Sequence, residues 1–306
     1  MRRLALVVAL AASVGGCERM TCSQKRVRSI QYMNAGVDQY RQGNMSGALR
    51  ELKGAVAEDE TNVGAHYNLA KVHQEMKTWD EAAASLQRCV AMEPSVAIYH
   101  YDLGVALQEL GRREPALEAY QKALALDARL FRAHYRLGTV FEASDRPRDA
   151  DAAYRKAIDI NARFTKPFVK LGYLYLENEY AKEAEAVFRA GVGVDQGDAE
   201  LHNGLGASLA ALGRYDDAVS AFQAALKIDA NMLDAVYNLG MANFELGRKD
   251  DARKYLEDFA TRGAGKADPA YIRAAQDKIS DLMGLGAGGV TGSAGPPARL
   301  GKPVLQ

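Results

Sequence analysis

Three stretches of the chain repeat one pattern at a fixed distance: AHYNLAKVHQEM at residues 65–76, YHYDLGVALQEL at 99–110 and AHYRLGTVFEAS at 133–144. Each stretch begins 34 residues after the one before it. His66, His100 and His134 recur at this period, so their row is open to three interpretations: a ligand array, part of a catalytic site, or packing. A period of this length indicates an array of small repeated units.

A 34-residue frame that starts at Ser29 fits seven times in succession, over residues 29–266, without insertion or deletion. Position 8 of the frame is small, position 24 is always large and apolar, and position 27 is mostly small. Position 20 is alanine in every frame: Ala48, Ala82, Ala116, Ala150, Ala184, Ala218 and Ala252. Positions 4, 7, 8 and 11 share one face of a helix, and positions 20, 24 and 27 share one face of a second. We therefore predict two helices per frame that approach closely at positions 8 and 20, with the large residue of position 24 beside them.

The prolines agree with this frame. Pro115 and Pro147 fall at the start of a second helix, and Pro167 falls at the start of a first helix. Pro94 falls where a second helix stops, and Pro269 falls just after the last frame. Proline is tolerated at helix ends and costs about 3 kcal/mol or more in a helix interior. No proline of the seven frames interrupts a predicted helix.

The pattern resembles the tetratricopeptide repeat family, and the resemblance covers 238 of the 306 residues. It implies an all-α, right-handed superhelical solenoid of seven helix-turn-helix repeats. It also implies a concave surface that binds a peptide or helix of a partner protein. After the repeats, residues 267–284 predict one capping helix, with Asp268 as its N-cap and Gly284 at its end. Residues 285–306 form a Gly/Pro-rich tail that we predict to be disordered.

The N-terminus has the features of a secretory signal. MRR precedes the apolar run LALVVALAASV, which is too short for a comfortable membrane span of about 20 residues. VGGC, at residues 14–17, resembles a bacterial lipobox, which implies removal of residues 1–16 and lipidation of Cys17. Residues 17–28 would then be the lipidated cysteine and a polar tether. The alternative is a plain secretory signal that is cut nearby.

The candidates for chemistry are weak. His66, His100, His134 and His202 all occupy position 4. Helix axes lie about 8–10 Å apart, so successive histidines are too distant to share a zinc ion, and we expect packing with one ring nitrogen hydrogen-bonded. The glycines of the tail match a phosphate-loop spacing but do not follow a strand. Cys89 occupies a packing position. We predict neither enzymatic activity, nor a cofactor, nor a metal site, nor a small-molecule substrate.

The resemblance places the partner-binding groove on positions 2, 5, 6, 9, 12 and 13 of the first helices. Tyrosine and asparagine recur there, and tyrosine offers a large contact area at low entropic cost. The predicted groove residues are Asn34, Tyr67, Asn68, Lys71, Tyr101, Arg132, Tyr135, Arg136, Lys166, Lys170, Tyr173, Tyr237 and Asn238.

Four of these residues form a predicted cationic cluster. Arg132 and Arg136 are positions 2 and 6 of the fourth frame, and Lys166 and Lys170 are the same positions of the fifth. Residues at i and i+4 share a helix face, so the two pairs are predicted side by side. The cluster is either a contact for an acidic partner segment or a solvated charged patch. The whole chain has 39 basic and 39 acidic residues, which gives no reason to expect nucleic acid as a partner.

Together these features predict a non-enzymatic adaptor that is lipid-anchored at the bacterial envelope and faces the periplasm. Glu18 would follow the lipidated cysteine, which favours the outer over the inner membrane. Two narrower functions are implied by resemblance. One is that of the pilotin lipoproteins of type IV pili, which assist assembly of an outer-membrane secretin. The other is that of repeat lipoproteins that recruit cell-wall hydrolases or envelope proteases.

Overall fold

The computed structural model describes residues 18–284, and this part of the chain contains fifteen α-helices and no strand. It divides into two compact units with a boundary between Asp145 and Arg146. Unit 1 contains α1 (Glu18–Arg41), α2 (Met45–Glu58), α3 (Val63–Glu75), α4 (Trp79–Met92), α5 (Ala97–Glu109), α6 (Arg113–Leu126) and α7 (Phe131–Ala143). Unit 2 contains α8 (Pro147–Ile160), α9 (Lys166–Glu177), α10 (Ala181–Val194), α11 (Ala199–Ala211), α12 (Tyr215–Ile228), α13 (Leu233–Glu245), α14 (Lys249–Arg262) and α15 (Pro269–Leu282).

Each of the seven frames holds two helices, as the repeat predicts. The two helices of a frame pack together in α1 with α2, α3 with α4 and α5 with α6, and again in α9 with α10, α11 with α12 and α13 with α14. Neighbouring first helices also touch within each unit, for example α1 with α3 and α9 with α11. The residue at position 24 is fully buried in every frame: Leu52, Leu86, Tyr120, Tyr154, Phe188, Phe222 and Leu256.

Close approach of the two helices depends on a small residue at position 8, which is glycine in six of the seven frames. A Cβ atom added to Gly172 would lie 2.4 Å from the ring of Phe188, and one added to Gly104 would lie 2.6 Å from the ring of Tyr120. Real Cβ atoms do not come this close to another heavy atom, so the large residue of position 24 occupies the space that a side chain at position 8 would need. The predicted pairing of a small position 8 with a large position 24 is confirmed.

The turn between the two helices has one conformation throughout. Position 15 has a positive φ in all seven frames: Gly43, Lys77, Gly111, Asp145, Glu179, Gly213 and Gly247. Glycine adopts this left-handed conformation freely, whereas other residues do so at a cost. Three frames therefore carry a strained turn residue.

α1 differs from the prediction. The sequence predicts a polar tether for residues 18–28, but they are the first turns of a helix that continues to Arg41. No proline or glycine occurs between Glu18 and Ala35 to stop it. The helix is also fixed to α2, because Arg28 pairs with Glu58 at 2.9 Å and Ser29 Oγ donates to the carbonyl of Ala55 at 2.7 Å.

The predicted capping helix is α15, and it covers the last repeat. Ala275 and Ile279 of α15 are buried with Phe259 of α14. Asp268 accepts a hydrogen bond from the backbone N–H of Ala270 at 2.8 Å, so it is the N-cap that the sequence predicts. The predicted signal segment, Cys17 and the tail lie outside the described residues.

Candidate functional site

The histidine row closes the turns between repeats. His66 Nε2 lies 3.0 Å from the carbonyl oxygen of Glu60, and His100 Nε2 lies 2.8 Å from that of Pro94. His134 and His202 make the same bond to the carbonyl six residues earlier, each at 3.1 Å. Because a carbonyl oxygen only accepts, Nε2 carries the proton in all four rings. The expectation of packing with one ring nitrogen bonded is confirmed, and the row has a structural role.

Metal ligation finds no support in this region. Within residues 18–284, no group of three or more His, Cys, Asp or Glu side chains is placed to hold a metal ion. Cys89 is buried, its thiol lies 3.7 Å from the carbonyl oxygen of Val63, and burial raises the pKa of the thiol to about 12. At neutral pH the thiol therefore stays protonated and is a poor nucleophile.

In unit 1 the predicted groove residues form hydrogen bonds from one first helix to the next. Tyr67 Oη, at position 5 of α3, donates to Asp102 Oδ2, at position 6 of α5, at 2.8 Å. Lys71 Nζ lies 3.3 Å from the same oxygen. Asp102 is only 4% exposed. A carboxylate this deeply buried needs such partners, so the three residues act as one polar cluster.

The next pair of repeats uses the same positions. Tyr101, at position 5 of α5, lies close enough to Arg136, at position 6 of α7, for each side chain to affect the pKa of the other. Glu109 Oε1 lies 3.6 Å from Nη1 of Arg136. Burial raises the pKa of Tyr101, and the charge of Arg136 opposes that rise. The pairing with Glu109 partly balances the charge of Arg136.

In unit 2, positions 5 and 6 of successive repeats are also in contact, but through different side chains. Asn238 Nδ2, at position 6 of α13, donates to Asn203 Oδ1, at position 5 of α11, at 3.1 Å. Asn203 Nδ2 in turn lies 3.2 Å from the hydroxyl of Tyr173 in α9. We call the hydrogen bonds between positions 5 and 6 of successive repeats the inter-repeat ladder; its members are Tyr67–Asp102 and Asn203–Asn238.

Two predicted groove residues do not line an open surface. Tyr237 and Asn238 are each 2% exposed. The ring of Tyr237 lies 5.0 Å from that of Phe259 and 5.3 Å from that of Tyr271 in α15. The burial of the pair differs from the prediction. Tyr237, at position 5, packs against α15, and Asn238, at position 6, is bonded to Asn203 of the preceding repeat.

The remaining predicted residues differ in exposure. Asn34, Arg132 and Lys166 are exposed, whereas Asn68, Tyr135, Lys170 and Tyr173 are half-buried. The predicted cationic cluster would join Arg132 and Arg136 of unit 1 to Lys166 and Lys170 of unit 2, and it stays a prediction. Within unit 2, burial and the charge of Asp198 raise the pKa of Glu200. The charges of Lys170 and Lys166 oppose this rise without cancelling it.

Sequence reasoning missed the glutamines at position 12. Gln74 Nε2 donates to the backbone carbonyl of Asp102 at 3.2 Å. Gln108 accepts from the hydroxyl of Tyr120 at 2.8 Å and donates to Thr139 Oγ1 at 3.0 Å. The bonded polar groups lie 28 or 31 residues apart in the chain. Because these offsets differ from the 34-residue period, comparing equivalent positions of the frames does not reveal the bonds.

The family models decide the identity. Three models, each described as tetratricopeptide repeat, match residues 62–129, residues 101–163 with 169–234, and residues 209–278. Together they account for most of residues 62–278. The chain belongs to the tetratricopeptide repeat family.

Solved structures of tetratricopeptide repeat proteins resemble this chain. The MamA protein shares 27% sequence identity over 55% of this chain and 92% of its own, with a TM-score of 0.53. A tetratricopeptide repeat protein from Parabacteroides merdae has 15% identity over 84% of this chain and 99% of its own, with a TM-score of 0.60. PilF of Pseudomonas aeruginosa has 19% identity over 68% of this chain and 94% of its own, with a TM-score of 0.57. The last two show the fold alone. The comparison with curated proteins gave no match.

Membership sets the general function. Tetratricopeptide repeat proteins are typically scaffolds for protein–protein interaction and are generally non-catalytic. None of the helices in residues 18–284 is long and apolar enough to cross a membrane.

Proposed function

We propose that this tetratricopeptide repeat protein is a non-enzymatic adaptor whose partner-binding surface is the first-helix face of unit 1. One observation carries the proposal. Polar side chains of α3 at positions 6, 9 and 12, namely Asn68, Lys71 and Gln74, are partly exposed. The same positions of α11 in unit 2 are small and buried: Gly204, Ala207 and Ala210. A peptide or helix can therefore reach the polar side chains of unit 1.

The unit 1 surface is suited to binding because it is preorganised. The Lys71 ammonium group lies 3.3 Å from Asp102, and Gln74 is bonded to the Asp102 backbone. Side chains already held in place lose less conformational entropy when a partner arrives. The Nδ2 group of Asn68 donates to the carbonyl of Gly64 at 2.9 Å, which directs its amide while the residue stays half-exposed.

The adaptor function is tested by photo-crosslinking in cells. A photo-reactive residue at Asn68 should capture a specific partner protein, which mass spectrometry identifies. The same residue at Gln87, which is exposed on the second helix α4, is the matched control. Equal capture from both positions, or none from Asn68, would reject the proposed surface.

The proposed partner segment is acidic. Arg132 of α7 is exposed, and an exposed cation attracts an acidic segment with a strength that falls as salt rises. Arg132→Glu should reduce partner capture at low salt and have a smaller effect at high salt. Arg88→Glu on the exposed face of α4 is the control. Capture that is unchanged at both salt concentrations would exclude the acidic partner.

We also propose that a lipid on Cys17 holds the adaptor at the bacterial envelope, facing the periplasm. The support is the sequence VGGC at residues 14–17 and the basic and apolar segments before it. Labelling with an alkyne fatty acid should mark the protein and be lost in Cys17→Ser but not in Cys22→Ser. Membrane fractionation should place the labelled protein mainly in the outer membrane; persistence of the label in Cys17→Ser would reject the anchor.

Two processes are candidates for the adaptor. In a pilotin-like function, deletion of the gene should remove secretin multimers from the outer membrane; the fold shared with PilF is compatible with this alternative. In recruitment of cell-wall hydrolases or envelope proteases, deletion should instead change the peptidoglycan composition or the turnover of envelope proteins. The protein captured from Asn68 distinguishes the two.

A further inference from the structure

Arginine occupies position 16 in four of the seven frames, and three of these arginines pair with an acidic residue of the preceding second helix. Arg112 lies 3.0 Å from Asp80 in unit 1. In unit 2, Arg248 lies 2.6 Å from Asp216, and Arg214 lies 2.9 Å from Glu185. The fifth frame breaks this pattern, because its position 16 is Tyr180.

Tyr180 is unusually exposed for an aromatic residue. Its exposed fraction of 57% is the highest among the exposed large hydrophobic residues of the described chain. Its ring meets that of Tyr175 edge to face, with a centroid distance of 6.4 Å. Tyrosine is enriched at the energetic centres of protein interfaces, and an aromatic pair with one exposed ring is a candidate contact surface.

A polar network holds the inner ring of this pair. The hydroxyl of Tyr175 donates to Asp151 and accepts from the guanidinium group of Arg155. Arg155 Nε lies 3.0 Å from Asp151 Oδ2, and its guanidinium carbon lies 5.7 Å from the centroid of the Tyr175 ring. Tyr175 is therefore fixed, and Tyr180 stands beside it facing solvent. We call Tyr175 and Tyr180 together the tyrosine pair.

The chemistry of the tyrosine pair suits a proline-containing segment. Prolines favour an extended conformation that is ordered at little entropic cost, and such segments dock onto aromatic surfaces. The exposed charged residues within three positions of Tyr180 in the chain are Glu177, Glu179, Lys182 and Glu183, which together carry a net charge of −2. A ligand with prolines and positive charges would therefore match both the rings and the charge of this surface.

Such a segment is present in the same chain. Residues 294–303 read AGPPARLGKP, with Arg299 and Lys302 as cations, and no acidic residue occurs in 285–306. Pro296 lies twelve residues after Gly284, a length of chain that reaches about 40 Å when extended. Neighbouring helix axes are about 8–10 Å apart, so a segment of this length can pass over several helices of unit 2.

We propose that the tyrosine pair of unit 2 binds the proline-containing segment 294–303 of the same molecule. The contact is separate from the first-helix surface of unit 1, so it does not depend on the adaptor function proposed above. It assigns a role both to the tyrosine that interrupts the arginine row and to the prolines that come after the capping helix.

Photo-crosslinking of the full chain tests this contact. A benzoylphenylalanine in place of Tyr180 should form crosslinks to residues 290–306 within one molecule. The same residue in place of Tyr32, which is 40% exposed in unit 1, should not. A mixture of isotopically light and heavy protein identifies crosslinks between copies. Crosslinks that are absent from the tail, or that join light to heavy molecules only, would overturn the proposal.

Hydrogen exchange provides a second measurement without a probe. In the full chain, Tyr180→Ala should accelerate exchange in residues 294–303 by roughly five-fold or more, and Pro296→Ser with Pro297→Ser should do the same, because free segments exchange faster than bound ones. Tyr32→Ala is the matched control and should leave the tail unchanged. Circular dichroism verifies that each variant keeps its helix content. Tail exchange that does not respond to Tyr180→Ala would overturn the proposal.

Discussion

The ring of Phe188 lies so close to Gly204 that a Cβ atom added to the glycine would be 2.0 Å from it. A Cβ atom added to Gly172, on the other first helix that contacts this ring, would be 2.4 Å from the same side chain. Phe188 is completely buried. One aromatic ring of α10 therefore sets how closely both α9 and α11 approach it.

Substitution of either glycine should destabilise unit 2. Gly204→Ala and Gly172→Ala would force the Phe188 ring to move, and overpacking of this kind costs about 1–3 kcal/mol. Urea unfolding monitored by circular dichroism would measure the loss. Gly193→Ala in α10 is the matched control, because nothing lies within 4 Å of its added Cβ and alanine favours a helix by up to ~1 kcal/mol. Similar losses in all three variants would contradict the packing account.

At turns where a non-glycine residue has a positive φ, substitution by glycine should stabilise the protein. Lys77 and Glu179 have φ values of 58° and 65°, in the left-handed region. A left-handed conformation costs about 1–2 kcal/mol for a non-glycine residue, and the greater flexibility of unfolded glycine offsets part of that gain. Lys77→Gly and Glu179→Gly should each stabilise the protein by about 0.5–1 kcal/mol in urea unfolding, while Gly213→Ala should destabilise it. A loss of stability in both glycine variants would show that the Lys77 and Glu179 side chains stabilise the protein by more than their backbone strain destabilises it.

The bond between Tyr67 and Asp102 should be measurable as a coupling energy. Tyr67→Phe and Asp102→Asn each remove a partner from a buried cluster, which costs about 1–3 kcal/mol. The double variant should lose less than the sum of the single losses, by about 0.5–3 kcal/mol, because the two residues interact directly. Tyr67→Phe with Asn203→Ala, which lies in unit 2, is the control and should be additive. Additivity in the first pair would mean that Tyr67 and Asp102 are not energetically coupled.

His73 should make the stability of unit 1 depend on pH. Its pKa is lowered from 6.5, mainly by burial, with Glu81 opposing and Lys53 adding to the effect. Below about pH 6.5 the unfolded histidine takes up a proton more readily than the folded one, so the free energy of unfolding falls as the pH falls through this range. Unfolding of the wild type at about pH 7.5 and about pH 5.5, on either side of the ordinary histidine pKa, measures the loss.

The control for this pH effect is His73→Gln. It should be less stable at the higher pH, because His73 Nδ1 lies 2.6 Å from Thr78 Oγ1, but its stability should change less between the two pH values. An equal change in wild type and variant would assign the pH dependence to other groups.

The sequence predicted the repeats because their packing is local and periodic. Alanine at position 20 and a large residue at position 24 appear in every frame, and the helices they imply are the helices observed. The histidine row was also interpretable, because its spacing excluded a shared metal ion. The ladder was harder to predict. Whether Tyr67 faces solvent or a neighbour depends on Asp102, 35 residues away, and no single frame contains that information.

Tyr237 shows the same limit at the end of the array. Its position in the frame matches that of Tyr67, yet it is buried by Phe259 and Tyr271. The frame treats all repeats as equivalent, whereas burial depends on the element that packs against each repeat from its C-terminal side. The capping helix was predicted, but its effect on the preceding tyrosine requires the packed structure.

The continuity of α1 has a mechanical consequence. A helix of 24 residues is about 36 Å long and bends little, so its first turns and the first repeat move as one body. An attachment near Glu18 would therefore fix both the orientation of the first repeat and its distance from the attachment point. A flexible linker would fix neither. Insertion of three glycines after Arg26 would replace this rigid helical connection with a flexible one while leaving every repeat intact.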